Sequence, residues 1–202
     1  MIVIKHRVNS VEDLKKTPTK YGVEIDLRSY GQKIIVDHEP FRKSITFNKW
    51  LKFYNHKFLI LNTKEERIEI KILKLLVQNK IKNYFFLDST IPMIHTLNQK
   101  NFFKIALRVS HYESHLKYFN LIKKNIKNEW LWLDTIDGNI PLKLEELKKL
   151  KKLGYKICLV SPELPLKKKA NINKFEKKYY KFLDYVDAVC TKKINFWNKY
   201  EN

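Results

Sequence analysis

The chain has 202 residues, somewhat more than the ~150 of a typical domain, and we expect a single domain over residues 1–202. A hydrophobic fraction of 44% is ordinary for a globular protein and excludes a disordered or fibrous chain. The 41 basic and 21 acidic residues give a formal net charge of +20 at pH 7, which favours polyanionic ligands without choosing among nucleic acid, anionic lipid and phosphate esters.

Glycine and cysteine usage excludes further classes of protein. Four glycines are too few, and too scattered, for a phosphate-binding loop or a dinucleotide fingerprint. Cys158 and Cys190 lie in apolar runs without paired spacing, which indicates reduced, buried thiols of a cytoplasmic protein. The amino terminus becomes charged at Lys5, and no apolar stretch reaches the ~18 residues of a membrane span.

Short apolar runs alternate with longer amphipathic stretches along the whole chain, as parallel strands alternate with helices. In chain order, the predicted strands are Ile2–Lys5, Gly22–Leu27, Lys57–Leu61, Tyr84–Leu87, Phe103–Leu107, Trp130–Leu133, Tyr155–Val160 and Asp187–Cys190. The predicted helices are Val11–Lys16, Phe47–Tyr54, Glu65–Lys80, Pro92–Gln99, Tyr112–Lys124, Leu142–Leu153, Lys174–Leu183 and Asn195–Tyr200. Eight such units predict a compact (β/α)₈ barrel of the α/β class.

One additional run, Lys33–Val36, follows the sequence Ser-Tyr-Gly and predicts a hairpin strand beside the second strand. The Lys-rich segments fall on helices or at their ends. Without interleaved arginines and exposed aromatic residues, they indicate solvated surface, and nucleic acid is a disfavoured partner.

Every predicted strand ends in a polar or ionisable residue, and active sites of such barrels lie at this end of the strands. Glu24 and Asp26 alternate along one strand, so both carboxylates point into the barrel, where two unpaired charges are costly. A divalent cation would neutralise them. Three of the five arginines, Arg7, Arg28 and Arg108, also stand at strand ends, which indicates recognition of an oxyanion such as phosphate.

The segments KHRVNSVEDL, GVEIDLR and KIIVDHEPF resemble the motifs of the glycerophosphodiester phosphodiesterases, which run His-Arg-Gly, Glu-x-Asp and His-Asp. The resemblance covers about the first forty residues and implies a phosphodiester hydrolase of lipid metabolism with a (β/α)₈ barrel. It implies that His6 and His38 are the catalytic acid and base. It also implies that Glu24 and Asp26 ligate Mg²⁺ or Ca²⁺, and that Arg7 and Lys64 bind phosphate.

Three features depart from the family pattern. Val8 replaces the motif glycine, which requires a different turn after His6. Asn62 replaces a third metal-ligating glutamate; its amide oxygen can still ligate, but with one charge fewer. Only about twenty residues separate His38 from the next strand, so a large substrate-covering segment is absent there.

Taken together, these features predict a metal-assisted phosphodiesterase for a small glycerol- or polyol-phosphate diester, with Arg28 and Arg108 as further phosphate ligands. Two alternatives stay open within the same architecture: a metal-free enzyme like the phosphatidylinositol-specific phospholipases C, and a non-catalytic barrel that only binds anions. Peripheral contact with an anionic membrane is compatible with the net charge.

Overall fold

A computed structural model describes residues 1–113 and 127–201 of the chain. These residues form nine strands, in chain order β1 (Ile2–Lys5), β2 (Gly22–Tyr30), β3 (Lys33–Val36), β4 (Leu59–Thr63), β5 (Tyr84–Leu87), β6 (Ala106–Val109), β7 (Trp130–Leu133), β8 (Lys156–Val160) and β9 (Ala188–Thr191). The described helices are α1 (Val11–Lys16), α2 (Phe47–Leu51), α3 (Glu69–Gln78), α4 (Ile91–Gln99), α5 (Leu144–Lys152), α6 (Glu163–Leu166), α7 (Ile172–Leu183) and α8 (Ile194–Trp197). Two 3₁₀ turns, Lys167–Lys169 and Asn198–Tyr200, follow α6 and α8.

Eight parallel strands pair in the order β5-β4-β2-β1-β9-β8-β7-β6. A single parallel bridge between Phe86 and Ile105 joins the two outer strands, β5 and β6, so the sheet nearly closes on itself. Helices alternate with these strands, and the predicted (β/α)₈ barrel is confirmed. The predicted hairpin is confirmed as well, because β3 pairs with β2 in antiparallel register from Tyr30↔Lys33 to Leu27↔Val36.

Two layers of apolar side chains support this sheet. The barrel interior is filled by bulky residues from alternate strand positions, including Ile4, Phe85 and Trp132. Cys158 and Cys190 belong to this interior layer, and both are free and buried, as the sequence predicts. Outside the barrel, larger clusters fill the space between strands and helices, with Leu14, Trp50 and Leu147 among the fully buried side chains.

Several helices begin where the sequence supplies a capping side chain. Ser10 Oγ accepts a hydrogen bond from the Asp13 amide (3.0 Å) at the start of α1, and Asn171 Oδ1 accepts one from the Lys174 amide (2.9 Å) at the start of α7. The predicted helix Tyr112–Lys124 lies largely outside the described residues. Within the described residues, no helix is both long and apolar enough to cross a membrane.

Candidate active site at the carboxyl end of the barrel

Two buried carboxylates from β2 form the floor of the barrel mouth, because Glu24 and Asp26 both face inward and each side chain is only 1% exposed. Glu24 is held from two sides. Its Oε2 accepts a hydrogen bond from the Arg7 amide (2.6 Å), and its Oε1 accepts one from Asn62 Nδ2 on β4 (3.1 Å). The alternation read from the sequence therefore places both carboxylates inside the barrel, toward its carboxyl end.

Asp26 is surrounded by cationic and amide groups. Arg7 Nε lies 3.4 Å from Asp26 Oδ2, and Lys64 Nζ lies 3.5 Å from Oδ1. Asn9 makes a reciprocal pair with the same residue: its Nδ2 donates to Asp26 Oδ2 (2.9 Å), and its Oδ1 accepts from the Asp26 amide (2.9 Å). These contacts offset the cost of burying this carboxylate.

Alternating charges continue around the rim from β4 to β7. Lys64 Nζ also lies 3.7 Å from Asp88 Oδ2, beyond the end of β5. Arg108, on β6, contacts an aspartate at the end of each neighbouring strand. Its Nη2 lies 2.5 Å from Oδ1 of Asp88, after β5, and its Nη1 pairs with Asp134, after β7. We name this series from Arg7 through Asp26, Lys64, Asp88 and Arg108 to Asp134 the charged rim.

His6 follows β1 and stands next to the floor carboxylates, with its Nε2 3.8 Å from Glu24 Oε2. Burial lowers the pKa of His6 to about 4, and the positive charge of Arg7 adds to this effect. The His6 imidazole is therefore neutral near pH 7 and able to accept a proton.

Glu24 is shifted in the opposite direction. Burial, followed by the negative charge of the neighbouring Asp26, raises the pKa of Glu24 to about 7. His6, with a lowered pKa, and Glu24, with a raised pKa, therefore lie next to each other. Neighbouring groups with such shifted pKa values are common at functional sites.

The opposite side of His6 is formed by β9. The His6 amide donates to the Thr191 carbonyl (2.9 Å), so the following residue, Lys192, stands at the same end of the barrel as His6. The charge of Lys192 also contributes to the low pKa of His6, after burial and Arg7.

A buried hydrogen-bond network fixes the start of the loop that carries Lys192. Glu163 Oε1 accepts from the Lys192 amide (3.0 Å) and from Thr191 Oγ1 (2.5 Å). Its other oxygen accepts from Ser161 Oγ, which in turn accepts from Trp197 Nε1 (2.9 Å). The network is satisfied internally, and we assign it a role in positioning this loop.

The second predicted histidine and one predicted arginine make different contacts. The ring of His38, beyond the end of β3, pairs through Nδ1 with Glu39 Oε1 (2.6 Å). Arg28 Nε donates to the His38 carbonyl (2.9 Å), and its Nη1 donates to the Lys64 carbonyl (3.3 Å). Among the described contacts none joins the His38 ring to Glu24 or Asp26, so the structure brings His6, Arg7, Lys64 and Asn62 together around the floor but not His38.

The turn after His6 shows how the chain manages without the motif glycine. Arg7 adopts the left-handed conformation, with φ of 57°, and Val8 is fully buried. The Val8 amide donates to the Glu24 carbonyl (2.7 Å). A non-glycine residue in this conformation is strained, and it is held by the two hydrogen bonds that the Arg7 and Val8 amides donate to Glu24.

The floor offers oxygen donors of the type that Mg²⁺ and Ca²⁺ prefer. Asn62 Oδ1 is buried without a hydrogen-bond partner beside Glu24, so one amide oxygen is available in addition to the two carboxylates. Among the described residues, no group of three or more His, Cys, Asp or Glu side chains is placed to hold a metal. A metal at this floor would therefore depend on Asn62 as its third protein ligand.

Two residues at the mouth were missed by the reasoning from sequence. Lys192 directly follows the polar end of the last strand, and this position was its only signal among 36 lysines. Asn9 has no sequence signal, because its pairing with Asp26 depends on the turn around Arg7.

Comparisons with known proteins agree with the fold of the chain. No family model and no curated protein matches it. Two crystal structures that match over the whole chain are a glycerophosphodiester phosphodiesterase from Thermotoga maritima and a glycerophosphoryl diester phosphodiesterase from Parabacteroides distasonis. The first has a TM-score of 0.66 and 17% identity, covering 99% of this chain and 98% of its own. The second has a TM-score of 0.63 and 14% identity, covering 100% of this chain and 87% of its own. The resemblance seen in the sequence is thus confirmed at the level of the fold.

Proposed function

We propose that the chain is a metal-assisted phosphodiesterase that hydrolyses a small glycerol- or polyol-phosphate diester. One observation carries this proposal: a neutral imidazole, His6, lies beside two buried carboxylates, Glu24 and Asp26, at the carboxyl end of the barrel. The shared fold with two phosphodiesterases adds support.

In this hydrolysis the oxygen of a water molecule forms a bond to phosphorus, and the water loses a proton to His6, which is neutral at pH 7. The bond from phosphorus to the leaving oxygen breaks, and His38 donates the proton that this oxygen takes up. Because the His38 ring is 36% exposed and pairs with Glu39, it would have to turn toward the mouth when substrate binds.

The cations at the mouth would bind the phosphoryl oxygens. Arg7 and Lys64 border the floor, and Lys192 follows β9 at the same end of the barrel; each can donate to an anionic oxygen. Arg28 and Arg108 remain further candidates; Arg28 is engaged with backbone carbonyls and Arg108 with Asp88 and Asp134.

A divalent metal, Mg²⁺ or Ca²⁺, would be held by Glu24, Asp26 and Asn62 Oδ1. When bound, it would withdraw charge from the phosphoryl oxygens. Arg7 and Lys64, now next to Asp26, would then be free to contact substrate.

The test is turnover of glycerophosphodiesters and a bis-aryl phosphodiester with Mg²⁺, Ca²⁺ or Mn²⁺. We expect His6→Ala to lower kcat by about 100-fold or more, the usual contribution of a general base. His95→Ala, which removes an exposed histidine from α4, is the matched control and should leave the rate unchanged.

Three outcomes would count against parts of the proposal. Absence of turnover in the wild-type protein, or full activity of His6→Ala, would overturn it. Activity that survives a chelator would show the metal-free reaction. A phosphodiester that raises the melting temperature without being consumed would show the non-catalytic, anion-binding barrel.

A further inference from the structure

A second groove, away from the barrel mouth, lies between the β2–β3 hairpin, α2 and α3. Its volume is about 620 Å³, within the range of small-molecule sites. Ile34 and Leu75 contribute its apolar surface. The other lining residues are polar or charged: Gln32, Lys33, Thr46, Asn48, Lys49, Lys52, Lys71, Lys74 and Gln78.

Five lysines from three separate elements face this groove, and we therefore call it the lysine groove. They are Lys33, Lys49, Lys52, Lys71 and Lys74. No Asp or Glu is among the described residues that line it. Lys49 and Lys52 are three residues apart at α2, as are Lys71 and Lys74 on α3, so each pair shares a helix face at some cost in stability.

This charge is not neutralised locally. Within the described part of the chain, none of the five lysines forms an ion pair, although lysines elsewhere do, such as Lys16 with Glu12 and Lys151 with Asp187. A groove of the same volume at the amino end of the barrel is balanced, because Asp184 and Asp187 line it together with Lys57 and Lys156. The lysine groove therefore differs from this second groove in gathering five lysines on one concave surface that has no carboxylate among its described lining residues.

The chemistry of the lining selects among polyanions. No aromatic side chain lines the groove among the described residues, so there is no surface on which nucleic-acid bases could stack. The site is concave, and its glutamine, asparagine and threonine side chains can hydrogen-bond to phosphate oxygens between the ammonium groups. We propose that the lysine groove binds a multiply phosphorylated small anion, either free or as the headgroup of a lipid. This site is independent of the proposed phosphodiesterase activity.

Inorganic tripolyphosphate, titrated calorimetrically at about 0.15 M NaCl, is the probe for a free anion. Phosphatidylcholine vesicles with and without phosphatidylinositol 4,5-bisphosphate are the probe for a headgroup. We expect the double variant Lys71→Gln/Lys74→Gln to weaken binding of the preferred probe by about tenfold or more, since two charge-assisted contacts are lost.

Lys149→Gln/Lys152→Gln is the matched control, because it removes the same charge at the same spacing from exposed positions of α5. This control should change the affinity less than about twofold, and both double variants should keep the wild-type rate on phosphodiesters. Equal effects of the two double variants would overturn the proposal, as would binding of tripolyphosphate that neither of them changes. Binding of a 20-nucleotide RNA that is lost in Lys71→Gln/Lys74→Gln, with neither phosphate probe bound, would also overturn it in favour of nucleic acid.

Discussion

The environment of His6 sets the chemistry available at the mouth of the barrel. Cations from two neighbouring loops, Arg7 and Lys192, oppose its protonation, and burial contributes more than either. A cation that keeps a base neutral can also bind an anionic substrate. Lys192 would therefore lower the pKa of His6 and also bind the phosphate of the substrate.

Replacing Lys192 tests this dual role. In Lys192→Gln we expect kcat/KM to fall about tenfold through loss of one charge-assisted contact to phosphate. Because a positive charge near His6 is removed, the pKa of His6 should rise, and the acid limb of the pH–rate profile should move to higher pH.

The adjacent lysine provides the control. Lys193 is exposed, and its amide donates to Thr191 Oγ1 (2.8 Å). Its charge is not among the causes that lower the pKa of His6. Lys193→Gln should keep the wild-type profile. A lower rate in Lys192→Gln without any shift of the profile would contradict the proposed proximity to His6.

Glu24 gives a pH dependence to stability. Its pKa is about 7 in the folded chain against an ordinary 4.5, so the protonated form is favoured by folding. The contribution of Glu24 to the free energy of unfolding is fully present below about pH 4.5 and is lost as the pH rises through about 7. In the presence of a chelator, Glu24→Gln should therefore raise the melting temperature at pH 8 and have little effect at pH 4.5, while turnover is lost.

Two details make Glu24→Gln a clean test. The Gln carbonyl can still accept from the Arg7 amide, and Asn62 can turn its unpartnered Oδ1 toward the new amide. Glu12→Gln, at an exposed pair with Lys16, is the control and should leave stability within a few tenths of a kcal/mol. A Glu24→Gln protein less stable than the wild type at pH 8 would contradict the raised pKa of Glu24, because it would show that the contacts of the buried carboxylate outweigh the cost of its ionisation.

Single residues of the site differ in how far the sequence predicts them. Glu24 and Asp26 are predictable because the period of a strand fixes the face of each side chain. The conformation of the His38 ring and the contacts of Arg28 are not, because both depend on the loop after β3 and on the Lys64 carbonyl from another strand.

At the scale of the elements, β2 begins at a tightly packed position that leaves no room for a side chain larger than that of glycine. Gly22 pairs with Ile4 of β1 at the start of the strand. A Cβ at this position would lie 2.8 Å from Ile4 Cγ1 and 3.1 Å from both Cβ and O of Phe58. The same strand carries Glu24 and Asp26, so its approach to β1 and β4 sets the position of the floor.

Gly22→Ala should therefore destabilise the barrel by about 1–3 kcal/mol, the usual cost of overpacking. Urea unfolding measures this as a lower midpoint with an unchanged slope. Thr19→Ala, in the exposed loop before β2, should unfold like the wild type. A Gly22→Ala protein as stable as the wild type would mean that β1 and β4 can move apart at this point.

The sequence predicts the elements better than their ends. Four predicted strands, including Ile2–Lys5 and Trp130–Leu133, have the observed bounds because apolar runs there stop at charged or turn-forming residues. The third barrel strand begins and ends two residues later than predicted, at Leu59–Thr63, since Asn62 and Thr63 pair in the sheet despite their polarity. Polar residues that form a site at the end of a strand also conceal where that strand ends.

At the scale of the whole molecule, the charge of +20 is unevenly neutralised. The charged rim pairs its arginines and Lys64 with three aspartates, whereas the lysine groove has no carboxylate among its described lining residues. The repulsion that opposes folding is therefore concentrated outside the candidate active site, in groups that face solvent.

Salt should then stabilise this protein. Between about 10 mM and 1 M NaCl the screening length falls from about 30 Å to about 3 Å, which removes repulsion between distant lysines. Short contacts of the charged rim, such as Arg108 with Asp88 at 2.5 Å, are partly buried and lose less. We expect the melting temperature to rise with NaCl, and the rise to be smaller in Lys71→Gln/Lys74→Gln than in the wild type. Chloride is the suitable anion, because sulfate and phosphate could bind the proposed sites. A melting temperature that falls with NaCl would show that the ion pairs of the charged rim outweigh the repulsion among the unpaired lysines.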